Sequence, residues 1–271
     1  MKLYKLLKDS NGNLKSRGRI MKALVIRDFE TRYLSSFLGL PWAIIQPAMF
    51  ILVIWFAFTY GLRSHVLNSG VPYAPWLVVA YMPWMFMSQT LILSSTAIEE
   101  YSYLIKKTNF PISMIPVIKI FSGLVIHLLL IVLIMIILIF SFHIYPTVYW
   151  FQIFYYLFAM TILLIGLTWF IASVNVFLHD MAHIVNIVVT MLFWATPIFW
   201  PYKMLTGNLK YIALLNPFFY ITEGYRYTFV EHVWFFEYTE MNIFFWTFTI
   251  LMFVFGAFVF YRLEPGIADQ V

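Results

Sequence analysis

The chain alternates between long apolar stretches and short polar segments, and the lengths of the apolar stretches predict membrane-spanning helices. A helix needs about 20 mostly apolar residues to cross the hydrocarbon core of a bilayer. Six stretches reach or approach that length, and each is predicted to span the membrane: 37–60, 71–98, 118–140, 149–176, 182–200 and 241–261. Backbone groups in hydrocarbon must be hydrogen-bonded within their own segment, which favours helices. The predicted fold class is therefore an all-α membrane protein with six transmembrane helices.

The remaining segments are predicted to lie outside or only partly inside the membrane. The polar patch at 141–147 interrupts a run without Asp, Glu, Lys or Arg and predicts an outside turn. Residues 15–33 mix basic and apolar side chains, which predicts an interfacial helix on the inner leaflet, although Asp28 interrupts its apolar arc. Residues 99–119 predict a cytoplasmic hairpin. Residues 201–240 hold apolar runs too short to span, which predicts re-entrant or interfacial helices on the outer side.

Composition and charge support a membrane location and predict its orientation. The 271-residue chain is 63% hydrophobic and 11% charged, whereas soluble domains carry roughly 25% charged residues. Six spans place both termini on one side. That side collects 13 of the 17 Lys and Arg residues, nine of them before Phe37, and the positive-inside rule then predicts cytoplasmic termini. The chain has no cysteine, which excludes disulfides and cysteine-based metal or redox sites.

The sequence lacks a recognisable energy source for transport and a recognisable catalytic site. No phosphate-binding loop of the Gly-x-x-x-x-Gly-Lys-Ser/Thr type occurs, and the nearest match, Gly207-Asn208-Leu209-Lys210, lacks the second glycine and the hydroxyl. No series of intramembrane carboxylates suggests proton-driven transport. A membrane-embedded transferase acting on lipid-linked sugars is the alternative class, but no convincing carboxylate or histidine pair supports it. Uphill transport would therefore need an energy-supplying partner.

Two sets of histidines are candidate polar sites. His127 lies inside the third span, where it is either a proton relay or ligand contact, or a neutral side chain hydrogen-bonded across helices. His179 and His183 have i,i+4 spacing, but too few further ligands are near for a zinc site, so no metal is predicted. Between them, Asp180 is predicted to cap the following helix.

Two further sets of residues are candidates for contact with a transported molecule. Glu223 and Arg226 have i,i+3 spacing and form either a local surface ion pair or the lining of an outer exit. The aromatic content of 21% mostly reflects apolar bulk, yet aromatic rings also stack on sugar faces. The aromatic residues that could line a sugar pathway are Trp42, Trp84, Phe193, Trp194, Phe199 and Trp200.

Several segments, in order along the chain, resemble signatures of the ABC-2 type polysaccharide export permeases. These segments are Arg32-Tyr33, Ser36, Leu38-Gly39 and Trp42-Ala43-Ile44-Ile45-Gln46-Pro47, then Lys107-Thr108-Asn109-Phe110-Pro111-Ile112, Thr196-Pro197-Ile198-Phe199, Leu215-Asn216-Pro217 with Glu223-Gly224-Tyr225-Arg226, and Leu263-Glu264-Pro265. The resemblance covers nearly the whole chain after residue 25. Gly61-Leu62-Arg63 and the segment 71–84 are most similar to the wall teichoic acid exporters, with O-antigen permeases as the nearest alternative. One departure is His179, which stands where many relatives have Arg.

The resemblance implies a single ABC-2 type transmembrane domain over residues 1–271. It would comprise a basic interfacial segment at 1–36, a six-helix bundle at 37–262 and a cytoplasmic tail at 263–271. The chain would form a homodimer in the cell membrane, docked on two copies of a separate ATPase subunit that binds ATP and magnesium, so this chain is expected to be neither an enzyme nor a cofactor binder. Lipids and a lipid-linked polymer, not nucleic acid, are its expected ligands.

The resemblance also implies roles for particular residues. A coupling element that contacts the ATPase would comprise Lys106, Lys107, Thr108, Asn109, Phe110 and Pro111. Basic residues of the interfacial helix would attract the anionic head group of the lipid pyrophosphate carrier, or serve only as a membrane anchor: Arg17, Arg19, Lys22, Arg27 and Arg32. The polymer would cross at the dimer interface between the first and fifth spans. The expected cargo is undecaprenyl-pyrophosphate-linked wall teichoic acid; the alternatives are O-antigen or another polysaccharide, a smaller lipid or a drug.

Overall fold

A computed structural model describes residues 14–33, 39, 41–57, 72–107, 110–205 and 213–270. The helices in these ranges, numbered in chain order, are α1 (Leu14–Tyr33), α2 (Pro41–Phe56), α3 (Tyr73–Ser95), α4 (Ala97–Glu100), α5 (Ser102–Lys107), α6 (Met114–Phe142), α7 (Gln152–Asn175), α8 (Met181–Ala195), α9 (Pro217–Arg226) and α10 (Thr239–Gln270). Short 3₁₀ turns occur at Val148–Phe151 and Tyr202–Met204, and a π-helical turn at Tyr227–Glu231 follows α9.

Four helices are long and apolar enough to cross a membrane, and they confirm that the protein is a multi-pass membrane protein. They correspond to the second, third, fourth and sixth predicted spans: Tyr73–Ser95, Met114–Phe142, Val148–Asn175 and Thr239–Ile267. The predicted turn at 141–147 is confirmed, because α6 ends at Phe142 and His143 adopts a left-handed conformation that closes it. The helix α10 continues through Pro265 to Gln270, over most of the residues predicted to form a cytoplasmic tail, and the location of that tail stays a prediction.

The described helix of the first predicted span and the whole helix of the fifth are shorter than a full crossing, so the six-span topology stays a prediction. The helix α2 has 16 residues and α8 has 15, which at 1.5 Å per residue gives lengths of about 24 and 22 Å. The hydrocarbon core is roughly 30 Å thick. The helix α8 ends at Ala195 because Thr196 is extended, as expected for a residue that precedes a proline. Residues 196–200 therefore lie outside the helix that was predicted to include them.

Two apolar clusters define the two ends of the helix bundle. The smaller cluster joins α1, the segment from α4 to the start of α6, and the last turns of α7 and α10; we call this the α1 end. The larger cluster occupies the rest of the bundle and includes residues at the start of α3, the end of α6, the start of α7 and the apolar residues Phe218–Ile221 and Tyr225 of α9. We call the end of the bundle formed by these segments the far end. The helix α6 runs from the α1 end to the far end and so touches both clusters.

Close helix contact fixes α7 against α10 at a pair of glycines. A Cβ atom on Gly256 would overlap the carbonyl oxygen of Gly166, and a Cβ on Gly166 would lie 2.7 Å from the backbone of Phe253. Small residues allow such approach between membrane helices, where packing rather than water exclusion drives association. These two helices make the most extensively packed pair of long helices in the described part of the chain, and apolar residues on their outer faces remain exposed.

The short helix α9 lies completely inside the bundle. All ten of its residues are buried, and a Cβ atom on Gly224 would overlap the ring of Tyr156 in α7. The short apolar runs of this region predict re-entrant or interfacial helices, and the re-entrant path stays a prediction. What the structure adds is that α9 contacts α3, α7 and α10 rather than lying on a surface.

Candidate functional site

The guanidinium group of Arg226 is completely buried at the end of α9 and binds the segment that follows α8. Its Nη1 donates to Oε2 of Glu223 at 2.7 Å and to the carbonyl of Pro197 at 2.8 Å. Its Nη2 donates to the carbonyl of Ile198 at 2.7 Å, and its Nε to the carbonyl of Trp76 at 3.3 Å. The same group lies 3.3 Å from the centre of the Trp76 ring, a distance at which cation–π attraction contributes.

Asn216 and Tyr73 complete this arrangement, which we call the far-end clamp. Asn216 caps α9 by accepting from the backbone N–H of Phe218 at 3.0 Å, and its amide donates to the hydroxyl of Thr196 at 2.8 Å. Pro217 follows at the first helical position, where its missing N–H costs nothing. The hydroxyl of Tyr73 donates to the carbonyl of Phe199 at 2.9 Å. Three motifs separated in the sequence, 196–199, 215–217 and 223–226, therefore form one hydrogen-bonded unit.

The clamp changes the interpretation of the predicted pair of Glu223 and Arg226. The ion pair exists, but it is buried, with both side chains at 3% exposure or less, rather than at a surface. The helix α8 stops at Ala195, so the carbonyls that follow it have no helical partner. Buried backbone groups without partners are costly, and Arg226 supplies donors for two of them. A role as an outer exit stays a prediction for both residues.

Four of the six predicted pathway aromatics meet in one cluster centred on Phe193 of α8. The ring of Phe193 lies 5.9 Å from Trp84, 5.3 Å from Trp194 and 5.0 Å from Phe199, measured between ring centres. Trp194 is 64% exposed at the edge of the cluster, whereas Trp84 and Phe199 are buried. The other two candidates lie elsewhere: Trp42 is exposed at the start of α2, and Trp200 packs against the larger apolar cluster.

His127 forms a hydrogen bond across helices, in agreement with one of the two interpretations that its sequence position left open. Its Nε2 lies 2.7 Å from the hydroxyl oxygen of Tyr225 in α9, and its ring stacks on Phe86 in α3 at 4.9 Å. The side chain is 1% exposed. It therefore joins the middle of α6 to α9 and α3, which are the helices that carry the far-end clamp.

Asp28 is the centre of a second polar network, at the α1 end, that sequence analysis missed. Its carboxylate accepts from Nζ of Lys119 at 2.7 Å, from the hydroxyl of Tyr101 at 3.0 Å and from Nη2 of Arg32 at 2.9 Å, as well as from the hydroxyl of Ser122. Asp28 follows Ile20 and Leu24 at i,i+4 spacing, and all three are buried. It therefore extends the buried face of α1 instead of interrupting it.

Burial and charge act in opposite directions on this carboxyl group. Burial raises the pKa of Asp28, but hydrogen bonds from Lys119 and Ser122 and the positive charges of Lys119 and Arg32 outweigh it, so the net pKa lies below 3.8. Lys119 also donates to Glu100 at 2.6 Å. The network thus joins three elements, namely α1, the segment containing α4 and α5, and α6. The sequence shows Lys119 near the start of the third predicted span, but it does not show its partner, because Asp28 lies 91 residues away.

The predicted coupling element is only partly an exposed surface. Lys106 is exposed at the end of α5, while Phe110 is 8% exposed and packs in the smaller apolar cluster with Ile20, Leu24 and Tyr101. Phe110 therefore anchors the hairpin to α1 instead of projecting toward a partner. The carbonyl of Pro111 accepts from the backbone N–H of Met114, which begins α6. Thr108, Asn109 and the side chain of Lys107 lie outside the described residues.

Of the five basic residues predicted to attract a lipid head group, the four with described side chains lie in different surroundings. Arg27 and Arg32 line a pocket of about 320 Å³ together with Thr31, Tyr103 and Lys119, and the acidic Asp28 and Glu100 also face it. Arg27 lies 5.6 Å from the ring of Tyr103. Lys22 lines an apolar groove on the opposite flank of α1, and Arg19 is exposed. The side chain of Arg17 lies outside the described residues.

The predicted cap by Asp180 is wrong. Asp180 occupies the position before α8, but its side chain makes no capping hydrogen bond. Instead, Oδ1 of Asn175, at the end of α7, accepts from the backbone N–H of Ala182 at 2.9 Å, and its amide donates to Glu99 at 3.0 Å. His179 lies 3.8 Å from the same Glu99 and is 80% exposed. A distant asparagine thus caps α8 and ties it to α4.

Comparison with known proteins identifies a family and several relatives of similar length. Residues 20–230 match the profile of the ABC-2 type transporter family. The chain is 28% identical over 220 residues to the O-antigen export system permease protein RfbA of Myxococcus xanthus, which covers 79% of this chain and 81% of that protein. It is 25% and 26% identical over 257 residues to two RfbA permeases of Klebsiella pneumoniae, which covers 93% of this chain and 96% of each relative.

Removing the arginine of the far-end clamp is expected to destabilise the fold strongly. In an Arg226→Ala variant, the buried carboxylate of Glu223 loses the guanidinium group, and the carbonyls of Pro197 and Ile198 lose their donor. Breaking a buried ion pair in this way costs about 3–5 kcal/mol. Thermal unfolding of the purified protein measures the loss. Arg262→Ala, at an exposed position of α10, is the control, and equal unfolding temperatures for the two variants would contradict the clamp.

Replacing Asp28 by Asn is expected to weaken the α1 end in a pH-dependent manner. Because the pKa of Asp28 is lowered below 3.8 in the folded protein, its ionised form stabilises the fold above that pH, and this contribution is lost as the pH falls through the folded pKa. Wild type is therefore more stable than Asp28→Asn at neutral pH, and the difference shrinks in acid. Unfolding measured from pH 7 to 3 tests this, with Asp269→Asn, exposed on α10, as the control. A pH-independent difference would refute the charge network.

Proposed function

The chain belongs to the ABC-2 type transporter family, and from that premise we propose that it is the membrane subunit of an exporter for a lipid-linked polysaccharide of the O-antigen kind. The observation that carries the proposal is the near full-length similarity to permeases named for O-antigen export. An aromatic cluster around Phe193 supports it, since aromatic rings suit the apolar faces of sugars. The relatives favour this alternative over wall teichoic acid, for which the comparisons give no support.

An ATPase partner follows from the family, because ABC-2 permeases work with an ABC ATPase. This chain carries no phosphate-binding loop of its own. We infer that the ATPase contacts the α1 end, where Lys106 is exposed and the hairpin is short and proline-containing. Because both termini are predicted to be cytoplasmic, the α1 end would face the compartment that contains ATP. Two ATPase copies with two copies of this chain make the expected complex.

The α1 end has the construction that a force-transmitting element needs. Phe110 packs the hairpin against α1, and Asp28 bonds α1 to Tyr101 of the hairpin and to Lys119 of α6. Packed cores and interfaces move between discrete arrangements rather than deforming gradually. A displacement of the hairpin would therefore carry α1 and the base of α6 with it as one body.

A pathway along α8 at a homodimer interface is the proposed route for the polymer. Only Val185 and Val189 of α8 are buried, and the exposed part of the helix includes the polar residues Asn186 and Thr190 beside Trp194. Polar side chains within membranes usually face protein or a water-filled space rather than lipid. A second copy of the chain, opposed along α2 and α8, would cover these faces and enclose a sugar pathway between them.

The carrier head group is proposed to bind first at the α1 end. The pocket lined by Arg27, Arg32 and Lys119 offers charged donors, and guanidinium groups form paired hydrogen bonds with phosphate oxygens. Lys119 and Arg32 are engaged by Asp28, whereas Arg27 contacts a tyrosine ring. A pyrophosphate-linked lipid in the inner leaflet would therefore meet Arg27 at the edge of the pocket.

The substrate is tested by measuring ATP hydrolysis in the reconstituted complex. Lipid-pyrophosphate-linked O-antigen-type polysaccharide is expected to raise the hydrolysis rate several-fold, because substrate and ATPase act through the same bundle. Lipid-linked teichoic acid polymer and a short-chain lipid serve as comparison substrates. Stimulation by teichoic acid alone would reject the proposed cargo, and hydrolysis or export by this chain without any ATPase would reject the proposed subunit role.

Loosening the hairpin is expected to uncouple ATP hydrolysis from export. A Pro111→Ala variant keeps the carbonyl that accepts from Met114 but frees the backbone dihedral that proline fixes. Export per ATP hydrolysed should fall by roughly half or more while the complex stays assembled, since the local segment becomes more flexible. Pro146→Ala, in the exposed turn at the far end, is the matched control. Unchanged export per ATP in both variants would remove this hairpin from the coupling route.

A further inference from the structure

The turn that joins the π-helical segment to α10 carries a group of aromatic rings at the far end, of which Phe236 is exposed and Trp234 is half-buried. The ring of Trp234 lies 4.9 Å from that of Tyr149, which belongs to the turn before α7. Trp234 also lies nearly parallel to Phe236, with ring centres 5.8 Å apart and an interplanar angle of 9°. Phe236 is 56% exposed. We call Tyr149, Trp234 and Phe236 the aromatic platform.

The platform is held in place by hydrogen bonds that do not involve its rings. The side-chain amide of Gln152 in α7 donates to the carbonyl of Val233 at 2.9 Å and accepts from the N–H of Phe235 at 2.7 Å. His232 has a φ of 55° and turns the chain out of the π-helical segment. Phe235 faces inward and stacks on Tyr155 at 4.0 Å. The turn is therefore rigid. The rings of the aromatic platform do not belong to the larger apolar cluster.

A carboxylate lies beside the rings. Oε1 of Glu237 accepts from the backbone N–H of Trp234 at 2.9 Å, and both Glu237 and the nearby Glu240 are exposed. Ionised carboxylates resist transfer into hydrocarbon, so this side of the turn is expected to face water rather than acyl chains. The exposed ring of Phe236, next to the half-buried Trp234 and the carboxylate of Glu237, suits a sugar, whose C–H faces cover aromatic rings and whose hydroxyls donate to carboxylates.

We propose that the aromatic platform is a binding surface for uncharged sugar residues of the exported polymer as it leaves the far end of the transporter. This inference rests on the proposed function for the class of ligand, while the platform itself rests on the ring geometry. A neutral polysaccharide fits the site better than a polyanion, because Glu237 and Glu240 would repel phosphate groups. The rigid turn lowers the conformational entropy lost on binding.

The test uses the complete complex of this chain with its ATPase, in lipid nanodiscs, and the exported polymer freed from its lipid by mild acid. The variant Trp234→Ala with Phe236→Ala is expected to weaken polymer binding by at least about fivefold, since aromatic contacts contribute beyond the area they bury. Phe154→Ala, which removes a 68% exposed ring from α7, is the matched control and should bind as wild type. Thermal unfolding verifies that both variants are folded. Equal binding by wild type and the platform variant overturns the proposal.

A second measurement distinguishes sugar binding from membrane anchoring. The chain has no cysteine, so Phe236→Cys provides a single labelling site for a fluorophore attached before the ATPase is added. Fluorescence that responds to the polymer and not to brominated lipids supports the platform as a sugar site. Quenching by brominated lipids without a response to polymer assigns it to the membrane and overturns the proposal. If wild type exports polymer and the platform variants bind and export it as well as wild type does, the platform proposal fails and the proposed function stands. If wild type exports no polymer, the proposed function fails.

Discussion

A polar group buried in a helix bundle is costly unless it is hydrogen-bonded, and the carbonyls after α8, which no helical N–H reaches, impose this constraint on the far end. Because Pro197 prevents the helix from continuing, the carbonyls of residues 197–199 would otherwise be buried without donors. A single guanidinium group reaches two of these carbonyls and a third on α3. This explains why α9 lies inside the bundle: only there can Arg226 reach these carbonyls. The positive charge then requires Glu223, one helical turn earlier.

At the α1 end, the buried charge that needs hydrogen-bond partners is negative rather than positive. The buried carboxylate of Asp28 is satisfied by two cations and two hydroxyl groups, which come from α1, α6 and the hairpin between α3 and α6. Ser122 and His127 lie on α6 within about 8 Å of one another along the helix axis. Through Ser122, α6 contacts the network around Asp28. Through His127 and Tyr225, it also contacts α9, which carries the far-end clamp. Structural changes at one end therefore have a direct packed route to the other.

Run length predicts the long helices well because spanning is a requirement on composition over about 20 residues. Run length does not predict where the short helices end. The helix α8 ends where Pro197 changes the local backbone, although the residues after it remain apolar. The spacing of Glu223 and Arg226 indicates their pairing, but Asp28 meets Lys119 from 91 residues away and Arg226 meets carbonyls 28 to 29 residues away, and nothing local indicates these contacts. Asp180 shows the same limit on a smaller scale. It has the residue type and position of a cap, but Asn175 from the preceding helix takes the hydrogen bond.

The two ends of α8 are attached to different networks, and this has a mechanical consequence for a helix proposed to line the pathway. At its start, Asn175 caps α8 and bonds to Glu99 in the segment that leads into the hairpin. At its end, the residues that follow are bonded to Arg226 and Asn216. A displacement of the hairpin would pull on the start of α8 while the clamp holds its end. The helix must then tilt or rotate about the clamped end, which would move the exposed face with Asn186 and Thr190 more than the cluster around Phe193.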